Sequence, residues 1–310
     1  MSVGFFCSAQ QTMLFSQYTF NKAGVNPAAS GTEINQKINY TFGINRQWVG
    51  FSNAPKENFV NCSMTIRPPR SYHYWQNVGV NIDNQESGIA NNSGAYFTYA
   101  FHLLLRKNLV ASFGINVGVR TYFISQTGID RSDPLVQKGD FSSLVYPDII
   151  PGFRLSSKKF FMDIAVRQLS TPALQDYIKH QIGGPSKLTP TIFFSYGKMI
   201  HLSDYFLLMP SMAANLPIVG IPNIDLNTML YYDNRMGAGL GLRNINFLTV
   251  IYQLRIVQNI TVGLAYSVSL NAMRYAAPNS FEVVIGLSPT GMMTKPQGRH
   301  SIARCPGLDY

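Results

Sequence analysis

Charge is what this chain has least of. Lys, Arg, Asp and Glu make up 13% of its 310 residues, about half the share of an ordinary soluble domain. Long apolar runs are absent as well. No stretch of roughly 18 apolar residues occurs, which excludes a bundle of membrane-crossing helices. The three cysteines, Cys7, Cys62 and Cys305, lie too far apart for CxxC or ligand spacing, so neither a disulfide framework nor a structural zinc site is expected. The five histidines, His73, His102, His180, His201 and His300, show no HExxH or paired spacing. No metal and no cofactor is therefore expected.

What the chain does have is apolarity without blocks of it: 46% of residues are hydrophobic and 13% aromatic, while polarity comes from Asn, Ser, Thr, Gln and Gly. Such a composition has to alternate, and it does. Ile38, Tyr40, Phe42 and Ile44 alternate with Lys37, Asn39, Thr41 and Gly43. Leu109 to Val119 and Ile260 to Leu270 repeat the pattern over ten residues or more, the length of a tilted membrane-spanning strand. Turn residues bound fourteen such segments: 36–45, 58–66, 76–84, 93–105, 109–124, 145–155, 160–169, 190–200, 205–216, 222–232, 236–245, 247–256, 260–271 and 280–288. An even count fits a closed single-chain barrel. A soluble sandwich would carry more exposed Lys and Glu, and in lipid every strand edge must be paired.

Link lengths orient the barrel. After the fourth, sixth, eighth, tenth and twelfth segments the links have three or four residues, while the two longest, about 125–144 and 170–189, follow odd segments; the near-absent link at Asn246 is the exception. Outer-membrane barrels keep short turns on the periplasmic side, so both chain ends are expected there. The expected fold is thus all-β: a closed antiparallel outer-membrane barrel of about 14 strands spanning 36–288, with residues 10–35 plugging or lining the lumen. Residues 1–9 read as the remainder of a secretory signal peptide, with Cys7 and Ala9 at the small positions before cleavage. Residues 289–310 form a basic periplasmic tail.

The net charge of +10 is spread thinly along the chain rather than gathered in a stripe, which argues against nucleic acid. The tail, with Lys295, Arg299, His300 and Arg304, is the exception. Together with the long short-side link holding Arg67, Arg70, Tyr72 and Trp75, it is the expected contact surface for periplasmic proteins. Trp48 and Trp75, with Tyr40, Tyr72, Tyr74 and Tyr252, are expected in an aromatic girdle.

Catalytic signatures fail on inspection. Ser156-Ser157-Lys158-Lys159 matches SxxK by letter but sits in a turn without partner motifs. The Gly237, Gly239 and Gly241 repeat lacks a βαβ context and is better explained by small residues inside a barrel. Asp163, Asp225 and Glu282 fall on inward faces with Arg120, Arg154, Arg167, Arg243 and Arg255, where mutual pairing is the simplest role. The chain is not expected to be an enzyme.

Three motifs in order then resemble one family. Gln17-Tyr18-Thr19-Phe20-Asn21-Lys22 with Val25-Asn26-Pro27-Ala28 is similar to the opening of the PorP/SprF family of type IX secretion membrane proteins. Arg46-Gln47-Trp48-Val49-Gly50-Phe51 is similar to its next motif. Asn259 to Ser267 with Asn279 to Leu287 is similar to its closing hairpin. Met236 to Asn244 and the tail around Cys305 look most like the SprF branch. That resemblance implies a partner barrel of gliding bacteria that binds and anchors, or helps export, a large surface adhesin bearing a type B C-terminal domain, together with periplasmic secretion or gliding components and outer-membrane lipid. The family supplies no catalytic residues to carry over. The alternative left open is an outer-membrane pore or transporter for small hydrophobic ligands.

Overall fold

The computed structural model describes residues 15–32, 37–51, 53–68, 73–88, 90–106, 108–124, 144–170, 190–233, 235–257, 259–271 and 279–289. The strands are β1 (Ile38–Arg46), β2 (Lys56–Ile66), β3 (Tyr74–Ser87), β4 (Ala90–Arg106), β5 (Leu109–Ile124), β6 (Leu144–Ser157), β7 (Phe160–Arg167), β8 (Thr191–Lys198), β9 (Ile200–His201), β10 (Phe206–Pro217), β11 (Asn223–Tyr232), β12 (Met236–Arg243), β13 (Phe247–Val257), β14 (Ile260–Ser269) and β15 (Asn279–Leu287). Each pairs antiparallel with its neighbours in sequence, except that β8 and β9 follow one another along β10. β15 closes on β1 through Tyr40↔Leu287 to Arg46↔Phe281.

Fifteen stretches make fourteen staves, because β8 and β9 share one register against β10. That ladder lapses opposite Pro210, which has no N–H to donate, and resumes at Leu208↔Ile200. The alternation dictates the rest. Phe97, Val117, Leu226, Val250 and Leu264 point outward and are exposed, while Asn77, Ser112, Asn116, Asn227 and Thr249 point inward and are buried. The outer face is therefore apolar, the arrangement a bilayer requires, while the inner face carries most of the polar side chains together with an apolar cluster around Phe161, Met209 and Tyr231. No described helix is long and apolar enough to cross a membrane.

The two ends differ. At one, β4–β5, β6–β7, β11–β12 and β13–β14 are joined by short links; the longest links join strands at the other. On the long-link side β3, β4 and β5 run past the apolar band. Their outward residues change from Ile82, Ala95 and Val119 to Asn84, Glu86, Ser93 and Thr121, and Ser93 Oγ donates to Asn84 Oδ1 at 2.8 Å. The sheet here continues beyond lipid as a wall. Opposite it β12 and β13 stop early, and the Asn246 boundary is corrected: the link is Asn244–Asn246. Asn244 (φ 48°) and Ile245 (φ 63°) both take left-handed backbone, as a tight hairpin turn demands.

Candidate functional site

A fourteen-strand barrel encloses more space than its own side chains fill, and here the chain supplies the filling. Residues 15–32 lie inside, as a turn, one turn of helix α1 (Lys22–Val25) and a 3-10 turn over Pro27–Ala29. Ser16, Gln17, Tyr18, Asn21, Asn26 and Pro27 are all buried. Irregular backbone cannot satisfy its own N–H and C=O groups, so a buried stretch of it needs donors and acceptors from its surroundings. The polar inner wall provides them.

Two carboxylates anchor the segment, and a third centre braces the wall around it. Glu282 accepts from the Ser16 N–H at 2.9 Å and from the Gln17 N–H at 3.4 Å. Beside it Asn227 donates to the Ser16 carbonyl at 2.7 Å, and Arg243 bridges Asp225 at 2.6 Å and Ser16 Oγ at 3.1 Å. Deeper in, Asp163 accepts from Asn26 Nδ2 at 2.7 Å, Arg154 at 2.7 Å and Ser195 Oγ at 2.9 Å. One carboxylate thus ties β6, β7 and β8 to the segment. Asn26 also caps the 3-10 turn, its Oδ1 accepting from the Ala28 N–H. The third centre lies in the wall itself. Arg120 reaches both oxygens of Asp83 at 3.1 Å and the Tyr96 hydroxyl at 2.8 Å, and that hydroxyl donates to Asp148 at 2.8 Å. Asp163 and Asp225 pair with Arg154 and Arg243 as expected of inward carboxylates, Asp83 and Asp148 join the set through Arg120, Glu282 takes backbone N–H groups instead, and Glu57 accepts from Gln85. These six buried acids come from only fifteen in the chain, so acid is concentrated where backbone needs an acceptor or a cation needs a partner.

Glycines in the wall make the seat. A Cβ on Gly114 would strike the backbone of Pro27 and Ala28, and one on Gly152 would strike Asn26. Gly263 and Gly286 leave room for Phe20. The segment runs lengthwise. Ser16 sits in the long-link half, near the ends of β11, β12 and β15, whereas Gly31 and Thr32 lie at the short-turn mouth before β1. The first described residues thus lie toward the long-link mouth, and both chain termini lie outside the described residues.

Trp75 marks the exit and corrects an expectation. It is 4% exposed, faces the lumen with Asn77 and Asn81 of the same strand, and donates its indole N–H to the Gly31 carbonyl at 2.9 Å. Its ring stacks on His102 at 5.0 Å, with Arg67 over its other side at 5.7 Å. Trp75 therefore belongs neither to a girdle nor to an exposed partner surface, because position 75 falls on the inward phase of β3. The girdle at this end is built instead from Tyr74, Phe101, Phe160, Tyr196, Tyr205, Phe206 and Tyr232, with Tyr74 on Phe101 at 6.0 Å and Phe206 on Tyr232 at 5.0 Å. Tyr252 pairs with Ala238 and Leu264 at mid-depth. Gln47, Trp48 and Gly50 lie in the β1–β2 link at the long-link end, where Trp48 (φ 49°) donates its N–H to Ser280 Oγ. Arg70, Tyr72, Lys295, Arg299 and Arg304 lie outside the described residues, as do most of the two long loops.

Chemically, the arrangement holds chain rather than transforms a substrate. Every carboxylate detailed above is engaged by backbone N–H, Asn, Gln, Ser, Tyr or Arg. Between the segment and β1, β2, β14 and β15 a small recess opens toward the short-turn mouth, lined by Asn39, Asn61, Ser63, Asn259 and Thr261 among others. Among the described residues no group of three His, Cys, Asp or Glu could hold a metal ion.

The family model for type IX secretion system membrane protein PorP/SprF matches residues 7–287. No curated protein matches the chain. Among solved structures, the toluene transporter TbuX of Ralstonia pickettii is similar at 10% identity and TM-score 0.52, over 85% of this chain and 92% of that one. The outer membrane protein Omp33 of Acinetobacter baumannii aligns at 6% identity and TM-score 0.44, over 83% and 99%. These likenesses concern the barrel fold alone.

Proposed function

Because the chain belongs to the type IX secretion system membrane protein PorP/SprF family, we propose that this outer-membrane barrel works by holding other proteins. Its long-link mouth takes a secreted surface adhesin with a type B C-terminal domain, and its short-turn mouth, facing the periplasm, takes secretion or gliding components. The observation that carries this reading is the filled lumen. Residues 15–32 are bonded to β2, β3, β6, β7, β10, β11, β12 and β15, so the barrel is a rigid ring around its own chain. A rigid ring offers loops and rims for binding, and the wall of β3–β5 raises one side of the long-link mouth clear of lipid. The SprF-like branch and the anchoring role belong to this proposal.

The test is affinity purification from detergent-solubilised outer membranes with mass spectrometry, using full-length protein and two variants. Removal of the loops 125–144 and 170–189 should lose the secreted partner; removal of 289–310 should lose the periplasmic one. Capture of both partners by both variants would overturn the proposal. The alternative, a pore or transporter for small hydrophobic ligands, requires a passage past the segment. Swelling of liposomes carrying the intact protein would favour it.

A further inference from the structure

The short-turn mouth carries a ring of cations. Lys37 precedes β1, Arg106 ends β4, Lys158 and Lys159 form the β6–β7 turn, Lys198 ends β8, and Arg235 lies between β11 and β12; all six are exposed, while Arg67, after β2, lies over the lumen-facing ring of Trp75. Against them the described residues of this mouth place two acids, Asp204 and Asp233, the second 3.9 Å from Arg235. The other mouth is different. Across β1–β5 its outward rim holds Asn58, Asn84, Ser93 and Thr121 with Arg46, Lys56 and Glu86, and its links carry exposed Phe51, Ile218, Ile221 and Ile245.

The cations are spaced around the circumference, not clustered. They also share a level with the aromatic girdle. Phe160 directly follows Lys159, Tyr196 sits two residues before Lys198 on the same outward face, and Tyr232 precedes Arg235. Aromatic rings of this kind settle at headgroup depth, which puts the ammonium and guanidinium groups level with lipid phosphates. A docked protein would favour one dense patch, whereas a surrounding leaflet favours an even ring.

We propose that this ring is a binding belt for anionic phospholipid headgroups in the leaflet adjoining the short-turn mouth. The phosphate of a zwitterionic lipid is neutralised by its own amine, so the belt should prefer lipids with net negative charge. Each cation near an anionic surface adds to the attraction, and its removal should lower affinity for such a surface roughly fivefold.

Native mass spectrometry of the purified full-length barrel, offered equal phosphatidylglycerol and phosphatidylcholine, reads the preference directly. The expected result is retention of several phosphatidylglycerol molecules, reduced in raised salt. The variant Arg106→Gln, Lys158→Gln, Lys159→Gln, Lys198→Gln should lose the preference, while Arg46→Gln with Lys56→Gln should keep it. Equal retention of both lipids by the unaltered protein, or no response to salt, would overturn the proposal whatever the variants do. So would displacement of the bound lipid by poly-glutamate at low concentration, which would make the ring a surface for acidic protein.

Discussion

The lumen is filled in two ways, and the two regions differ in what can be taken out of them. Toward β5, β6, β14 and β15 Gly114, Gly152, Gly263 and Gly286 open the wall, and the space belongs to residues 15–32. Toward β7–β13, in the short-turn half, the wall fills itself: Phe161, Met199, Leu207, Met209, Met229, Tyr231 and Ile251 form one buried cluster. Gly197, Gly237 and Gly239 make room for it, since a Cβ there would strike Phe161, Tyr231 and Met229 respectively. Glycine serves both regions, but in one it accommodates a separate piece of chain and in the other a neighbouring strand. A self-filled region is part of the barrel. A region filled by a segment has a seat that can be emptied.

The strongest way to break the comparison is to delete residues 15–32. The β7–β13 side should stay closed and the other side should open, seen as a rise in single-channel conductance from near zero to a porin-like level in planar bilayers. An unchanged conductance would mean that both regions are self-filled. Next in size is Asp163→Ala, which leaves Arg154 buried without its carboxylate and unties Asn26. A loss of about 3–5 kcal/mol is expected in urea unfolding from detergent or vesicles, with Arg154→Met partly restoring it in the double variant. Met229→Ala probes the other region; a cost of about 2–5 kcal/mol should come without added conductance, and added conductance would blur the distinction. Gly152→Val overfills the seat at Asn26 and should cost about 1–3 kcal/mol while raising conductance. Trp75→Phe is the mildest. It keeps the stack on His102 and removes the bond to Gly31, for a loss of about 1 kcal/mol in the heat-dependent gel shift of the barrel.

Alternation made the wall legible from sequence almost residue by residue. The segment 109–124 coincides with β5, and among the described residues every strand overlaps one of the fourteen expected stretches. Where boundaries moved, the reason is chemical. β3 and β4 extend to Ser87 and Ala90 because hydrogen-bonded Asn84, Asn91 and Ser93 continue the ladder after apolarity has ended, and apolarity was the guide. The N-terminal filling was visible as a stretch of poor alternation, but its partners were not. Nothing in spacing links Asn26 to Asp163 or Ser16 to Glu282, since those contacts span 137 and 266 residues and exist only once the sheet curls shut. Trp75 failed for a narrower reason. Indole at a strand end has two common fates, and a one-residue phase difference decides between them.

The bond between Ser16 and Glu282 has a consequence for how the molecule is made. The first described residues are gripped by β11, β12 and β15, which leave the ribosome last, and the seam between β1 and β15 then encircles them. A strand-closed ring cannot easily be threaded afterward by a segment anchored at eight strands. The leading segment is therefore expected to lie against the curling sheet before β1 and β15 pair, and a chain that closed early would be a barrel of the right shape with the wrong interior.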